Sequence, residues 1–209
     1  MSLGTPIERY VAGLLGTPDP LLAEMYEHAD DEGIPVVEVE TGRLLEVLAR
    51  ASGARRAVEV GTAIGVSTLH LARGGAHVTS FEVDELRQEA ARGYLARAGL
   101  AATTDLRLQD ATEGLAELEA PFDLGFIDGP KQGYANHIEQ VIELLRPGGL
   151  LLVDNVLISG TIVTGVPAGP WTAEHIEWMR DANRRLTSDP RLLALITPVG
   201  DGVAVAVRR

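Results

Sequence analysis

Between residues 56 and 153, short apolar runs alternate with stretches of helical periodicity, and this alternation constrains the fold more than any other feature of the chain. The runs 57–60, 77–83, 105–108, 123–127 and 150–153 read as strands. The stretches near 66–73, 85–98, 111–118 and 133–145 read as helices. Strands joined through helices run parallel and are covered on both faces, so the pattern predicts an α/β fold built on a mainly parallel sheet. Ahead of it lie three helical patterns. One starts at Thr5-Pro6 and carries Ile7, Tyr10, Val11, Leu14 and Leu15; the others cover 21–32 and 38–51, with Gly53 ending the last. Beyond it, a loop over 155–170 and a helix over 172–186 lead to strands 192–197 and 202–207. The Gly200-Asp201-Gly202 turn predicts that these two strands form an antiparallel hairpin at the sheet edge. No repeat or linker interrupts the 209 residues, so the expectation is one domain, with helices in 1–52, a ligand-binding core in 56–155, and the loop, helix and hairpin in 156–209.

Composition narrows the function classes. A net charge of −12 opposes non-specific attraction to nucleic acid or anionic membrane. The absence of cysteine excludes disulfides, thiolate metal sites and a cysteine nucleophile. No apolar run approaches the ~20 residues of a membrane helix, and no basic segment followed by an apolar one opens the chain, so a cytoplasmic protein without membrane contact is expected.

In open α/β sheets the ligand crevice lies at the carboxyl ends of the strands. The first strand runs through Glu59 into Gly61-Thr62-Ala63-Ile64-Gly65-Val66-Ser67, a strand-to-helix turn that offers free backbone N–H groups and lets a ligand approach the main chain. Ala63 stands where a dinucleotide motif needs its second glycine, and no Gly-Lys-Ser/Thr follows, which disfavours nicotinamide and nucleoside triphosphates. Glu82 ends the second strand, where an acid bridges ribose hydroxyls or simply opens a helix. Asp110 and Ala111 leave the third strand, where they could meet an adenine; Asp110 also suits a helix N-cap, and both roles can coexist.

Asp128 ends the fourth strand, and Asp154 with Asn155 ends the fifth. Two carboxylates and an amide carbonyl form a hard oxygen set suited to Mg²⁺, Mn²⁺ or Ca²⁺, and a poor one for zinc; the competing reading is that Asp154-Asn155 only satisfies a turn. Lys131 follows Asp128 by three residues. A lysine beside a divalent cation has its ammonium form disfavoured and becomes a candidate general base, although most lysines are solvated surface groups. The five histidines show no ligand spacing.

Taken together, Glu59 to Ser67, Phe126-Ile127-Asp128-Gly129-Pro130-Lys131-Gln132-Gly133-Tyr134, Pro147-Gly148-Gly149, Val153-Asp154-Asn155-Val156-Leu157, and Asp189-Pro190-Arg191 ahead of Gly200-Asp201-Gly202 resemble the metal-dependent O-methyltransferases. This group holds the catechol and caffeoyl-CoA O-methyltransferases and their small bacterial relatives, and the likeness runs from about residue 35 to the end. The resemblance implies a Rossmann-like, seven-stranded sheet with one reversed strand, S-adenosylmethionine as methyl donor, and a homodimer. Asp128, Asp154 and Asn155 would hold the metal, with Mg²⁺ the leading candidate, and Lys131 would be the base. Val37, Glu59, Gly61, Thr62, Ala63, Gly65, Ser67 and Asp128 would surround the methionine part of the donor, Glu82 its ribose, and Asp110 and Ala111 its adenine. The implied acceptor is a small molecule with adjacent hydroxyls. Two alternatives stay open: some bacterial relatives methylate a hydroxylated uridine in tRNA, and a donor-binding module without turnover would result if Pro130 disturbed Lys131. The chain departs from the family's usual residues at Val66, Gln109, Pro130, Ile158 and Ala182, and only 4% of its residues are aromatic, which leaves the acceptor pocket undefined. Trp171 is a candidate wall of that pocket or a core residue.

Overall fold

In a computed structural model, which describes residue 10 and residues 13–209, most of the N-terminal helix expected from Thr5 lies outside the described residues. Helix α1 (Pro20–Glu32) starts on an Asp19 N-cap whose carboxylate accepts from the Leu21 and Leu22 N–H groups. Helix α2 (Val39–Ser52) ends, like α1, on a left-handed glycine. The alternating core follows as β1 (Arg56–Val60), α3 (Val66–Arg73), β2 (His77–Glu82), α4 (Glu85–Arg97), β3 (Thr104–Leu108), α5 (Ala111–Ala116), β4 (Phe122–Ile127), α6 (Tyr134–Leu144) and β5 (Leu145–Val153). The chain closes with α7 (Thr161–Thr164), α8 (Ala173–Ser188), β6 (Leu192–Thr197) and β7 (Val203–Arg208).

The described strands form a seven-stranded sheet in the order β3-β2-β1-β4-β5-β7-β6. The first five pair in parallel; β7 runs antiparallel to both β5 and β6, and is therefore the reversed strand. The expected terminal hairpin is present, with β7 inside the sheet and β6 at its edge. Because the chain builds outward from β1 in one direction and then returns to place β4 on its other side, the order reverses between β1 and β4. A crevice opens at their carboxyl ends.

Alternate residues of each central strand feed two cores. Ala57, Leu124, Phe126 and Leu152 face α1 to α4, packing on Met25, Leu45, Leu69 and Leu95. Val58, Val60, Ile127 and Val153 face α5, α6 and α8, packing on Leu115, Ile138, Val141 and Met179. Burial on both faces explains why the strands read as continuous apolar runs.

Several details differ from expectation. Strand β5 begins at Leu145, five residues before the expected start, because Pro147-Gly148-Gly149 forms an irregularity within the strand: Leu145 pairs with Phe122, and the register shifts before Leu150 meets Leu124. Helix α5 stops at Ala116, two residues short. The loop expected over 155–170 contains a 3₁₀ turn, Ile158–Gly160, and the short helix α7.

Candidate active site

The sheet ladder continues one residue past its strand ends and draws the two carboxylates together. The Asp128 N–H donates to Val60 O at 2.9 Å, and the Asp154 N–H donates to Ile127 O at 3.0 Å. Asp128, Asp154 and Asn155 thus converge beside the reversal of strand order, as the strand-end reading expects.

Lys131 opens a 3₁₀ turn directly after Pro130, whose φ of −59° suits that position. The proline leaves the lysine in place: Lys131 Nζ donates to Asn155 Oδ1 and Tyr134 Oη, both at 2.6 Å, to Gly129 O at 3.1 Å, and to Asp128 Oδ1 at 3.3 Å. The ammonium therefore bridges oxygens of two of the three candidate metal ligands. Tyr134 is fully buried and in turn donates to Asp154 O at 3.2 Å, and burial, followed by the nearby Asp128 and Asp154 carboxylates, pushes its hydroxyl well above its ordinary pKa. It stays a neutral hydroxyl that accepts from Lys131.

Asp154 is 1% exposed; its Oδ1 accepts from the Asn155 N–H, while its Oδ2 is buried with no hydrogen-bond partner among the described residues. Burial, and then repulsion from Asp128, raise its pKa well above the usual carboxylate range, with Glu38 adding to the rise and Lys131 opposing it. A buried, unpartnered carboxylate oxygen is costly unless a cation completes it. The oxygen set of Asp128, Asp154 and Asn155 therefore fits a hard divalent ion.

The segment after β5 is strained. Asn155, Ile158 and Ser159 adopt φ of 55°, 40° and 53°, values that L-residues other than Asn rarely take, at a cost of about 1–3 kcal/mol each for Ile158 and Ser159. The β6–β7 turn clamps this segment: the Val156 N–H donates to Gly202 O at 2.9 Å, the Leu157 N–H to Asp201 O at 3.0 Å, and the Ser159 N–H to Asp201 Oδ1. Asn183 Nδ2 on α8 holds Val156 O at 2.9 Å. Trp171 Nε1 donates to Ser159 Oγ at 3.1 Å, and the indole ring centre lies 5.9 Å from Lys131 Nζ, so this tryptophan stands beside the candidate base as well as against the core.

Across the crevice, the glycine turn is tied to β2. The Gly61 and Thr62 N–H groups donate to Phe81 O, Thr62 Oγ1 shares a hydrogen bond with Ser80 Oγ at 2.6 Å, and the Ala63 N–H donates to Glu82 Oε2 at 2.8 Å. Glu82 Oε1 accepts from Val83 and Asp84 N–H, which fixes the carboxylate. Gly61 has φ +94°, and a Cβ there would stand 2.1 Å from Asp128 O, so the turn and the candidate metal ligand are in direct backbone contact. Gly65 opens α3 in a left-handed conformation, with Ser67 buried in the first turn behind it.

Glu59 lies inside β1, one residue before its end, and is fully buried. Its Oε2 accepts from Ser80 Oγ at 2.6 Å and from Thr68 Oγ1, while Oε1 has no partner among the described residues. Burial pushes this carboxyl up to about 7, against the opposing pull of the Ser80, Thr68 and Ser67 hydroxyls. Asp110 caps α5 through Thr112 N–H at 2.8 Å, so the N-cap reading holds for it, with buried Ala111 next in line. Val37 is buried in the core on the α1–α2 face.

Three residues given no role by sequence reasoning border the site: Glu38, Tyr134 and Asp201. Tyr134 was in plain view three residues after Lys131. Asp201 lies in the turn that leads into β7, whose Ala204 pairs with Val153 one residue before Asp154. Glu38 precedes α2, and no local signal connects it with residues 128–201.

Comparison with known proteins agrees with this arrangement. A family described as O-methyltransferase matches residues 18–209. A Mycolicibacterium vanbaalenii protein named as an O-methyltransferase is 35% identical over 197 residues, covering 91% of this chain and 84% of its own. Among solved structures, the Bacillus cereus O-methyltransferase in complex with SAH superposes with a TM-score of 0.83 at 30% identity, covering 98% of each chain. TomG from Streptomyces achromogenes, an O-methyltransferase of tomaymycin synthesis solved with SAM, gives 0.82 at 27% identity, covering 97% of this chain and 95% of its own. With a family match over nearly its whole length, a reversed seventh strand and acids gathered at the mouth of the sheet, this chain belongs to the O-methyltransferase family.

Proposed function

We propose that the chain transfers the methyl group of S-adenosylmethionine to a hydroxyl of a small molecule with adjacent hydroxyls, with a divalent cation, Mg²⁺ in the first instance, held by Asp128, Asp154 and Asn155. The observation that carries this reading is the unpartnered, buried Asp154 Oδ2, set among oxygens that Lys131 Nζ also reaches. Relatives solved with SAM or SAH support the donor. The glycine turn from Gly61 to Gly65, with Glu59, Ser67 and Val37, would grip its methionine part, Glu82 its ribose, and Asp110 and Ala111 its adenine. A cation held by these residues would lower the pKa of the acceptor hydroxyl and favour acceptors with adjacent oxygens. As the neutral amine, Lys131 would accept the hydroxyl proton at Nζ and become the ammonium, and Tyr134 Oη and Gly129 O, which accept from it, keep that nitrogen in position. Asp128, against the Gly61 turn, sets acceptor and donor at a fixed separation.

Methyl transfer to catechol with and without EDTA tests the reading. Transfer that survives chelation refutes the metal, and Lys131→Met should lower kcat by about 10²–10⁴-fold while leaving donor affinity intact.

We further infer a homodimer formed through the edge hairpin. Leu193 and Leu195 are 63% and 58% exposed and pair in register with Val207 and Val205, which makes a continuous apolar face. Light scattering of the wild type against Leu193→Glu reads it directly; a monomeric wild type refutes it.

A further inference from the structure

We propose that His137 is a positioning residue that ties the adenine end of the donor site to the turn carrying Lys131, so that the two are held at one separation. This rests on the reading above of Asp110 and Ala111 as the adenine contact and Lys131 as the base.

His137 lies on α6, three residues beyond Tyr134, and is 5% exposed. One edge of its ring meets α5: Nε2 shares a hydrogen bond with Thr112 Oγ1 at 3.2 Å. The other edge faces the base turn, since a Cβ on Gly133 would stand 2.5 Å from His137 Cε1 and 3.0 Å from Nδ1. Gly133 closes the 3₁₀ turn that Lys131 opens, so that turn rests directly on the imidazole. Nδ1 is buried with no hydrogen-bond partner among the described residues, and burial lowers the pKa of the ring against the pull of Asp110, which leaves it neutral at neutral pH. An apolar ring would fill this space without stranding a buried nitrogen, so what the histidine adds is its bond to Thr112.

Thr112 is held at three points. Its N–H donates to the N-cap Asp110 Oδ1 at 2.8 Å, its Oγ1 meets His137, and its carbonyl accepts from Gln140 Nε2 at 2.9 Å. The Gln140 amide is itself fixed, because its Oε1 accepts from Asn136 Nδ2 at 3.2 Å. Helix α6 therefore sets the start of α5, where Asp110 and Ala111 leave the sheet. The same helix opens with Tyr134, whose Oη accepts from Lys131 Nζ at 2.6 Å. Spacings of three put Tyr134, His137 and Gln140 along one side of α6, spread over about 9 Å. One rod thus holds the base at one end and the adenine turn at the other, with His137 touching both between them. Misplacing a reacting group by about 1 Å costs roughly 10²-fold in rate, so such a link bears on turnover as well as on donor affinity.

Three substitutions separate the bond from the packing. His137→Gln keeps a polar atom within reach of Thr112. His137→Phe keeps a ring against Gly133 and removes the bond, and Thr112→Val removes it from the far side without touching the base turn. Hydrogen exchange read by mass spectrometry, with and without S-adenosylhomocysteine, compares residues 111–116 with residues 131–134. In the wild type and His137→Gln the ligand should slow exchange in both segments. In His137→Phe and Thr112→Val it should bind about 2–10-fold more weakly and, at saturation, slow exchange in 111–116 alone. A folding defect shows separately, as faster exchange throughout the ligand-free chain. Single turnovers on catechol with the donor saturating should slow by about 10–10²-fold in His137→Phe, with the acceptor KM unchanged, and His137→Gln should keep the wild-type rate. If the ligand slows exchange in 131–134 as much in His137→Phe and Thr112→Val as in the wild type, the two ends are independent and the proposal is overturned, while the donor and base assignments stand. If it leaves 111–116 unprotected in the wild type, the adenine assignment falls and the proposal falls with it.

Discussion

Replacing Gly61 with alanine tests whether the donor turn and the metal ligands form one mechanical unit. Two costs apply. At φ +94° an L-residue is strained by about 1–3 kcal/mol, and a Cβ placed 2.1 Å from Asp128 O forces the backbone apart, which adds about 1–3 kcal/mol. The sum, about 2–6 kcal/mol, is a large share of the about 5–15 kcal/mol that stabilises a typical domain. It should lower Tm by roughly 2–4 °C per kcal/mol in a chain of this length. Gly75 provides the control: its φ is +108°, but a Cβ there meets nothing within 4 Å, so Gly75→Ala carries the conformational cost without the clash. Urea unfolding of both variants isolates the collision as the difference between them, about 1–3 kcal/mol. Calorimetry should show S-adenosylmethionine binding lost in Gly61→Ala and kept in Gly75→Ala. If the two variants are equally stable and both bind the donor, the backbone contact between Gly61 and Asp128 does not couple the two halves of the site.

Three further outcomes are expected. Because burial raises the Glu59 carboxyl from 4.5 to about 7, the folded chain keeps a proton that the unfolded chain releases between these values; in donor-free protein the stability from this group is complete below about pH 4.5 and is lost as pH climbs through about 7, a change of about 3 kcal/mol. Glu59→Gln should flatten that slope in a pH series of urea melts, and an unchanged slope would show that another group causes it. Asp154→Asn removes a crowded buried charge, so it should raise the Tm of the metal-free protein and abolish the further rise that Mg²⁺ produces in the wild type; a variant that Mg²⁺ still stabilises equally would falsify the ligand assignment. Gly93, on α4 with open space about its Cα, should gain about 0.5–1 kcal/mol as Gly93→Ala, measured by denaturant midpoint, and a loss of stability would contradict the open environment.

The parallel half of the sheet was legible because strands buried on both faces are uniformly apolar and helices between them keep their period. Asp128, Asp154 and Asn155 were legible for a related reason: in such sheets the chemistry sits where strands end, and those ends can be counted. Pro147-Gly148-Gly149 misled because a proline and two glycines look like a turn, whereas here they form an irregularity inside β5. The hydroxyl partners of Glu59 were not legible, because Ser80 on β2 and Thr68 on α3 meet it only in the folded chain. Glu38 was not visible at all. Its partner Gly200 is 162 positions away, and only the packing of α2 against the terminal hairpin brings them together. No helix among the described residues is long and apolar enough to cross a membrane.

The reversed strand gives the crevice one wall unlike the others. Every other strand that ends at this mouth of the sheet runs on through a loop or turn into a helix. The turn from Pro198 to Gly202 hangs between β6 and β7, held at both ends by strand pairing, and it grips the strained chain after Asn155. It behaves as a stiff lintel over the doorway, while residues 160–170 form the adjustable jamb. Insertions that reshape the entrance should accumulate in 160–170, and a single residue added to 198–202 should be enough to release the grip on Val156 and Leu157.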